Sequence, residues 1–123
     1  MPLVTRPARP DDAAEIRAMV RAAYTRWVPI IGREPRPMQA DYALAVGKHR
    51  FDLVDADGRI VALLESVARA DHYWVENIAV LPELQGQGLG RQLLALADHL
   101  ARAAGLAELR LLTNGRMAAN RRL

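Results

Sequence analysis

The sequence contains no cysteine. Disulfide bridges, thiolate metal sites and a cysteine nucleophile are therefore excluded. Histidine is scarce. His49, His72 and His99 lie far apart and share no metal-ligand spacing, so no metal site is expected. Lysine is nearly absent, and sixteen arginines with Lys48 carry the positive charge. They are scattered, without aromatic interleaving, which argues against nucleic acid as a partner. No apolar run approaches the roughly 20 residues needed to cross a membrane. The first ten residues lack the apolar core of a signal peptide. These absences together lead to the expectation of a cytoplasmic protein with neither a membrane nor a nucleic-acid partner. Internal repeats and low-complexity segments are missing as well.

What is present fits one globular domain over residues 1–123, with 51% apolar and 25% charged residues. A chain of this length buries roughly two-thirds of the surface it exposes when unfolded. The net charge of +3 mildly favours an anionic partner, and a phosphate-bearing small molecule suits it.

Periodicity orders the chain. Leu3 to Arg6 reads as a short strand. Asp12 and Glu15 sit at capping-box spacing before a helix whose apolar face is Ile16, Met19, Val20, Ala23, Tyr24 and Trp27. Pro29 should end it. Val28 to Pro37 is a proline-rich loop anchored by apolar residues. Met38 to Val46 reads as a second helix stopped by Gly47. Arg50 to Asp55 and Arg59 to Val67 are strands joined by an Asp57-Gly58 hairpin turn. Tyr73 to Val80 is the next strand. Leu89 to Ala104 is the clearest helix, with Leu89, Leu93, Leu96, Leu100 and Ala104 on one face and Arg91, Gln92, Asp98, His99 and Arg102 outward. Leu106 to Thr113 is a further strand. After an Asn114-Gly115 turn, Met117 to Leu123 reads as the start of a helix. Antiparallel strands early and a βαβ crossover late imply a mixed sheet.

The chain is organised around Val80 to Arg91, a glycine-rich turn between a strand and a helix. Backbone N–H groups converging at a helix N-terminus make an anion cradle. A dinucleotide fingerprint requires G-x-G-x-x-G, whereas Gly86, Gly88 and Gly90 are spaced G-x-G-x-G, and no acid ends the next strand. A Walker loop requires Lys-Ser/Thr after the glycines, and none follows.

The stretch Ile78-Ala79-Val80-Leu81-Pro82, then Gln85-Gly86-Gln87-Gly88-Leu89-Gly90, then Arg91-Gln92-Leu93-Leu94, resembles the acyl-CoA signature of the GNAT superfamily of N-acetyltransferases. That signature is a strand ending in valine, a proline two residues on, Gln/Arg-x-x-Gly-x-Gly and a leucine-rich helix. The resemblance implies an α/β (α+β) fold, a mixed, mostly antiparallel sheet flanked by helices. Its order would be β-α-α-β-β-β-α-β followed by the beginning of a helix, with the last strands missing. It implies acetyl-CoA as cosubstrate, no metal, and transfer of acetyl to a primary amine of a small molecule or protein. Backbone groups of Ile78, Ala79 and Val80 would pair with the pantetheine arm. Gln85, Gly86, Gln87, Gly88, Leu89, Gly90 and Arg91 would hold the pyrophosphate, and Asn120 would lie near the arm. The side chain of Arg91 equally suits a plain exposed helix arginine, and Asn120 a helix asparagine with no ligand.

Glu76 is the candidate base, because Trp74, Glu76, Ile78 and Val80 should share one face by period two, beside the pantetheine segment. A structural role for this acid is about as well supported. His72 and Tyr73, at the strand's start, are weaker candidates. The acceptor site would be lined by the Trp27 to Met38 loop, with Trp27 and Ile31 as the candidate contacts; Trp27, Ile30 and Ile31 equally suit core packing. A tyrosine that protonates the thiolate normally follows Asn-x-x-Leu in this family. Here Asn120-Arg121-Arg122-Leu123 ends the chain, so the domain is expected to be C-terminally incomplete and to bind acetyl-CoA more readily than it turns it over. Leu106 to Thr113 would then expose an unpaired edge, inviting a second copy and a homodimer. Two other functions compete: a non-catalytic acyl-CoA-binding or regulatory domain, and a nucleotide-binding module.

Overall fold

A computed structural model describes residues 3–113 and 117–122. Six strands form one sheet in sequential order: β1 (Arg6–Pro7), β2 (Arg50–Ala56), β3 (Arg59–Ala68), β4 (Tyr73–Val80), β5 (Glu108–Thr113) and β6 (Met117–Arg122). All neighbours are antiparallel except β4 and β5, which are parallel. The parallel pair is joined by the crossover helix α5 (Leu89–Ala103). Asp57 and Gly58 turn the β2–β3 hairpin with φ of 53° and 78°, the left-handed pair that a two-residue turn of primed type demands.

The sheet separates two cores, and β3 serves both. Its Leu63 packs with Ile16, Met19, Val20 and Ala23 of α1 (Ala13–Tyr24). Its Leu64 packs with Leu93, Ala97 and Ala101 of α5. This is why Ile60 to Leu64 reads as an unbroken apolar run: both faces of the strand are covered.

Several expectations change. Asp12 stands at the N-cap of α1 without a side-chain cap. Its carboxylate instead accepts from the Arg9 amide at 2.8 Å and from Arg6 at 2.9 Å, while Glu15 takes the Ile60 amide at 2.6 Å. Both acids tie the helix to its surroundings. Pro29 does not end the helical path. The chain continues through a 3₁₀ turn (Thr25–Trp27) into α2 (Val28–Ile31), where Pro29 sits in the first turn and needs no amide partner. The stop is Gly32, at φ 84°.

The helix expected over Met38 to Val46 is two pieces, α3 (Arg36–Gln39) and α4 (Tyr42–Lys48). Ala40 is extended, and Asp41 caps α4 by accepting from the Leu44 amide at 3.2 Å. An aspartate with that option competes with a continuous helix. In α5, Asp98 is buried rather than outward and Ala104 is exposed. The helix spans β3, β4 and β5, so its covered arc is broader than one leucine stripe.

The largest difference lies at the end of the chain. Met117–Arg122 is not a helix; it pairs antiparallel with β5 from Thr113↔Met117 to Glu108↔Arg122. Backbone pairing along the edge of β5 satisfies six residues that would make only a marginal helix. The β5 edge is thus covered, and the homodimer argued from its exposure loses its ground. Asn120 lies on β6 opposite Arg110. The Asn114-Gly115 turn falls outside the described residues. Among the described residues no helix is long and apolar enough to cross a membrane.

Candidate active site

The site begins with an irregularity in β4. Along β3, Glu65 faces Asn77 but the next residue, Ser66, faces Val75. Glu76 is therefore an extra residue on β4, a bulge. Tyr73 and Val75 before it, and Ile78 and Val80 after it, pack on the α5 side. Glu76 and Asn77 both turn to the other side, where they meet α3 and α1. Period two thus breaks at Glu76. Ile78 and Val80 do not share its face, contrary to the alternation read from sequence.

A second irregularity coincides with it. β4 pairs with β5 only through Tyr73↔Leu109, Trp74↔Arg110 and Val75↔Leu111. Beyond Val75 the two strands have no paired positions. At this parting lies a cavity of about 280 Å³, near the lower end for small-molecule sites. Trp27, Ile31, Pro35 and Pro37 wall it on the helical side, and Val75, Ile78 and Leu111 on the sheet side. The polar groups reaching it are Tyr24, Arg36, Glu76 and Asn77.

Glu76 is held from two directions. Its Oε1 lies 2.9 Å from Arg36 Nη2, and its Oε2 accepts from Trp74 Nε1. Deeper in, Tyr24 Oη lies 2.7 Å from Asn77 Oδ1 and 3.1 Å from the Ile78 carbonyl. Asn77 Nδ2 donates to Tyr42 Oη at 3.4 Å, and Tyr42 donates to the Pro37 carbonyl at 2.6 Å. This chain of bonds ties α1, α4 and the Pro35–Pro37 segment to the strand beside the bulge. Burial pushes the Tyr24 phenol up to about 12, with the charge of Glu65 adding to the effect. Burial raises Tyr42 as well. Both hydroxyls stay protonated at neutral pH.

At the far end of the same strand segment is the glycine turn. Pro82–Leu84 forms a 3₁₀ turn, and Gln85 Nε2 donates to the Val80 carbonyl at 2.8 Å, bracing the exit from β4. Gly86 and Gly88 take φ of 81° and 89°, a conformation that a Cβ disfavours. Gly88 is the N-cap of α5 with no side chain to cap it. The first-turn amides of Leu89, Gly90 and Arg91 have no carbonyl within the helix to bond. A Cβ on Gly90 would project into open space. Backbone, space and helix dipole thus fit a pyrophosphate here.

The structure brings Trp27, Ile31, Glu76 and Ile78 into one cavity and gathers residues 85–91 into one turn. It buries Ala79 in the α1 core and leaves the Arg91 side chain exposed. It does not bring Asn120 to the parting, since β6 lies beyond β5. His72 pairs with Asp71, and Tyr73 shares a hydrogen bond with Ser66. Tyr24, Tyr42 and Asn77 escaped the sequence reading of the site, and Arg36 fell within the Trp27 to Met38 acceptor loop without being singled out. The legible signal was Asn77, a polar residue inside a strand of buried ones. Tyr24 was counted only for its apolar ring. Among the described residues no group of His, Asp and Glu lies close enough to hold a metal ion.

Residues 14–122 match the sequence profile of the acetyltransferase (GNAT) family. The fold recurs in solved structures. A GNAT family acetyltransferase from Brucella melitensis in complex with acetyl-CoA is 26% identical, with a TM-score of 0.66 over 89% of this chain and 75% of that one. The PaiA N-acetyltransferase from Thermoplasma acidophilum in complex with coenzyme A is 16% identical, with a TM-score of 0.76 over 94% and 82%. An acetyltransferase from Thermus thermophilus is 22% identical, with a TM-score of 0.65 over 90% and 75%. No protein of curated function is significantly similar in sequence.

Proposed function

Because the chain belongs to the GNAT family of acetyltransferases, we propose that it moves an acetyl group from acetyl-CoA to a primary amine, with Glu76 as the base. One observation carries this reading. The parting of β4 from β5 runs from the bulged Glu76 to the end of β4, and the glycine turn follows directly. Four residue steps of extended strand cover roughly 13 Å. A pantetheine arm laid along residues 76–80 would lie against the strand where β5 has withdrawn. Its pyrophosphate would rest on the amides of Gly86, Gln87, Gly88, Leu89, Gly90 and Arg91, and its thioester would stand near Glu76. The relative from Brucella melitensis, which binds acetyl-CoA, supports the same donor.

The residues divide the chemistry among them. Glu76 takes a proton from the incoming ammonium, directly or through one water. A backbone amide near Val80 supports the charge that develops on the thioester oxygen. A thiol is far more acidic than an alcohol (a cysteine side chain has a pKa of about 8.5), so coenzyme A is a competent leaving group as its thiolate. Trp27 and Ile31 cover the acceptor side and thin the water around the reacting atoms. Gln85 acts at one remove, by fixing the turn that presents the amides.

The second reading, a domain that binds acyl-CoA without turnover, draws on a specific observation: both oxygens of Glu76 already have partners, Arg36 and Trp74. Substitution separates the two. Glu76→Gln should lower acetyl transfer by about 10²-fold or more while leaving acetyl-CoA affinity by calorimetry unchanged. Unchanged turnover in this variant would remove Glu76 as the base. A broad amine panel with no release of coenzyme A above background would leave the binding-domain reading standing.

A further inference from the structure

We propose that Arg36 and Glu76 together select a zwitterionic acceptor: a free α-amino acid with an apolar side chain, its ammonium on Glu76 and its carboxylate on Arg36. This rests on the acetyl-transfer reading above.

The argument starts from the ion pair across the mouth of the cavity. Glu76 is fixed: its side chain is 16% exposed and Trp74 holds one oxygen. Arg36 is the exposed partner. Its side chain is 67% exposed, while prolines on either side set its backbone at the rim. An ion pair with one such exposed member contributes little and opens readily.

What replaces Arg36 on Glu76 decides the rest. A simple amine takes Glu76 and leaves the guanidinium without a partner over an apolar cavity. An α-amino acid carries both charges on one carbon. Its ammonium substitutes for Arg36 and its carboxylate substitutes for Glu76, so each protein charge exchanges one partner for another. The guanidinium fork suits a carboxylate in two-point contact. Tyr24 and Asn77, the other polar groups there, are neutral and bonded to one another, and the remaining walls are Trp27, Ile31, Pro35 and Pro37, with Leu111 opposite. They offer an apolar side chain its place and offer a charged one no partner.

The step balances. The ammonium nitrogen loses one proton to Glu76 and attacks the thioester carbon. A C–N bond forms, the C–S bond breaks and coenzyme A leaves as thiolate. The nitrogen's second proton goes to the thiolate, and Glu76 releases its own to water. The products are the N-acetyl amino acid, coenzyme A and one proton.

The test compares leucine, leucinamide and isoamylamine as acceptors, by steady-state coenzyme A release, in the wild-type chain and in Arg36→Gln and Arg36→Lys. In the wild type, kcat/KM for leucine should exceed that for leucinamide by about two- to fivefold, the worth of one ion pair with a largely exposed arginine. In Arg36→Gln that ratio should fall towards one, and in Arg36→Lys it should be partly kept. Calorimetry with acetyl-CoA reports whether each variant is folded, and the wild-type ratio decides by itself if one is not. A wild-type ratio near one, or a ratio that survives Arg36→Gln, overturns the proposal while leaving acetyl transfer intact. Acetylation of no amine at all, with acetyl-CoA still bound, overturns acetyl transfer and this proposal with it.

Discussion

Glu65 is the most deeply buried acid near the site, at 2% exposure on β3, and His49 Nδ1 lies 2.6 Å from its Oε2. Burial pushes its carboxyl up, the His49 contact pulls it partly back, and the charge of Glu76 adds upward pressure. A carboxyl whose folded pKa lies above its unfolded value holds a proton in the fold that the unfolded chain has released. The resulting stability is present below the unfolded pKa, about 4.3, and is lost as pH rises through the folded one. Glu65→Gln imitates the protonated form, so the variant should gain on the wild type as pH climbs from about 4 towards neutrality. Urea midpoints measured at several pH values test this, and parallel profiles for the two proteins would contradict it. None of this was legible in the sequence. Glu65 sits in an apolar strand and His49 sixteen positions earlier, and only the fold makes them neighbours. Glu76 could be singled out from its distance to the glycine turn. Arg36, its partner, lies 40 positions away at the start of the four-residue α3, a stretch with no period to read.

At the scale of elements, the ends of helices matter more here than their interiors. Gly88 caps α5 at φ 89°, and Asp41 caps α4 through the Leu44 amide. Gly88→Ala should cost about 1–2 kcal/mol of stability and weaken acetyl-CoA binding, because the altered turn re-aims the amides. Asp41→Ala should cost about 1 kcal/mol and leave acetyl-CoA affinity alone. Urea unfolding and calorimetry on both variants check the contrast; equal losses of affinity would mean the effect is global. Helix α5 was readable because its leucines recur at helical spacing over four turns. Helices α3 and α4 were not separated, since Met38 to Val46 fits one helix as well as two and the break at Ala40 is marked only by the capping aspartate that follows it, Asp41. The last segment was misread for a related reason. Met117 to Leu123 has no clear period, and pairing with β5 decided its state.

For the molecule as a whole, β3 is the element both cores depend on. Leu63 and Leu64 are adjacent, each 0% exposed, and face α1 and α5 respectively. Leu63→Ala and Leu64→Ala should each lose about 2–5 kcal/mol, a large share of the stability of a domain this size. Because one strand backs both cores, each variant should still unfold in a single step. Tryptophan fluorescence, from Trp27 and Trp74, should track far-ultraviolet circular dichroism through a urea titration. Separate transitions would show that the α1 and α5 halves hold together independently. The order of the strands from β2 to β5 was legible, because β2 and β4 alternate, β3 carries an unbroken apolar run and turns such as Asp57-Gly58 separate them. The parting of β4 from β5 was not, because it is a relation between two strands and neither shows it alone.

The bulge in β4 has a consequence for how such a site is gained and lost. With Glu76 present, Asn77 and Ala79 face α1 while Ile78 and Val80 face α5. Removing Glu76 altogether would restore plain alternation from Tyr73 to Val80 and leave every other side chain on the face it already occupies. A deletion two positions later, at Ile78, would instead turn the end of the strand inside out. The proposed base thus occupies the one extra position in a strand whose packing reads correctly without it. Among descendants of this fold, a single in-frame codon event at this position could silence the chemistry and spare the architecture.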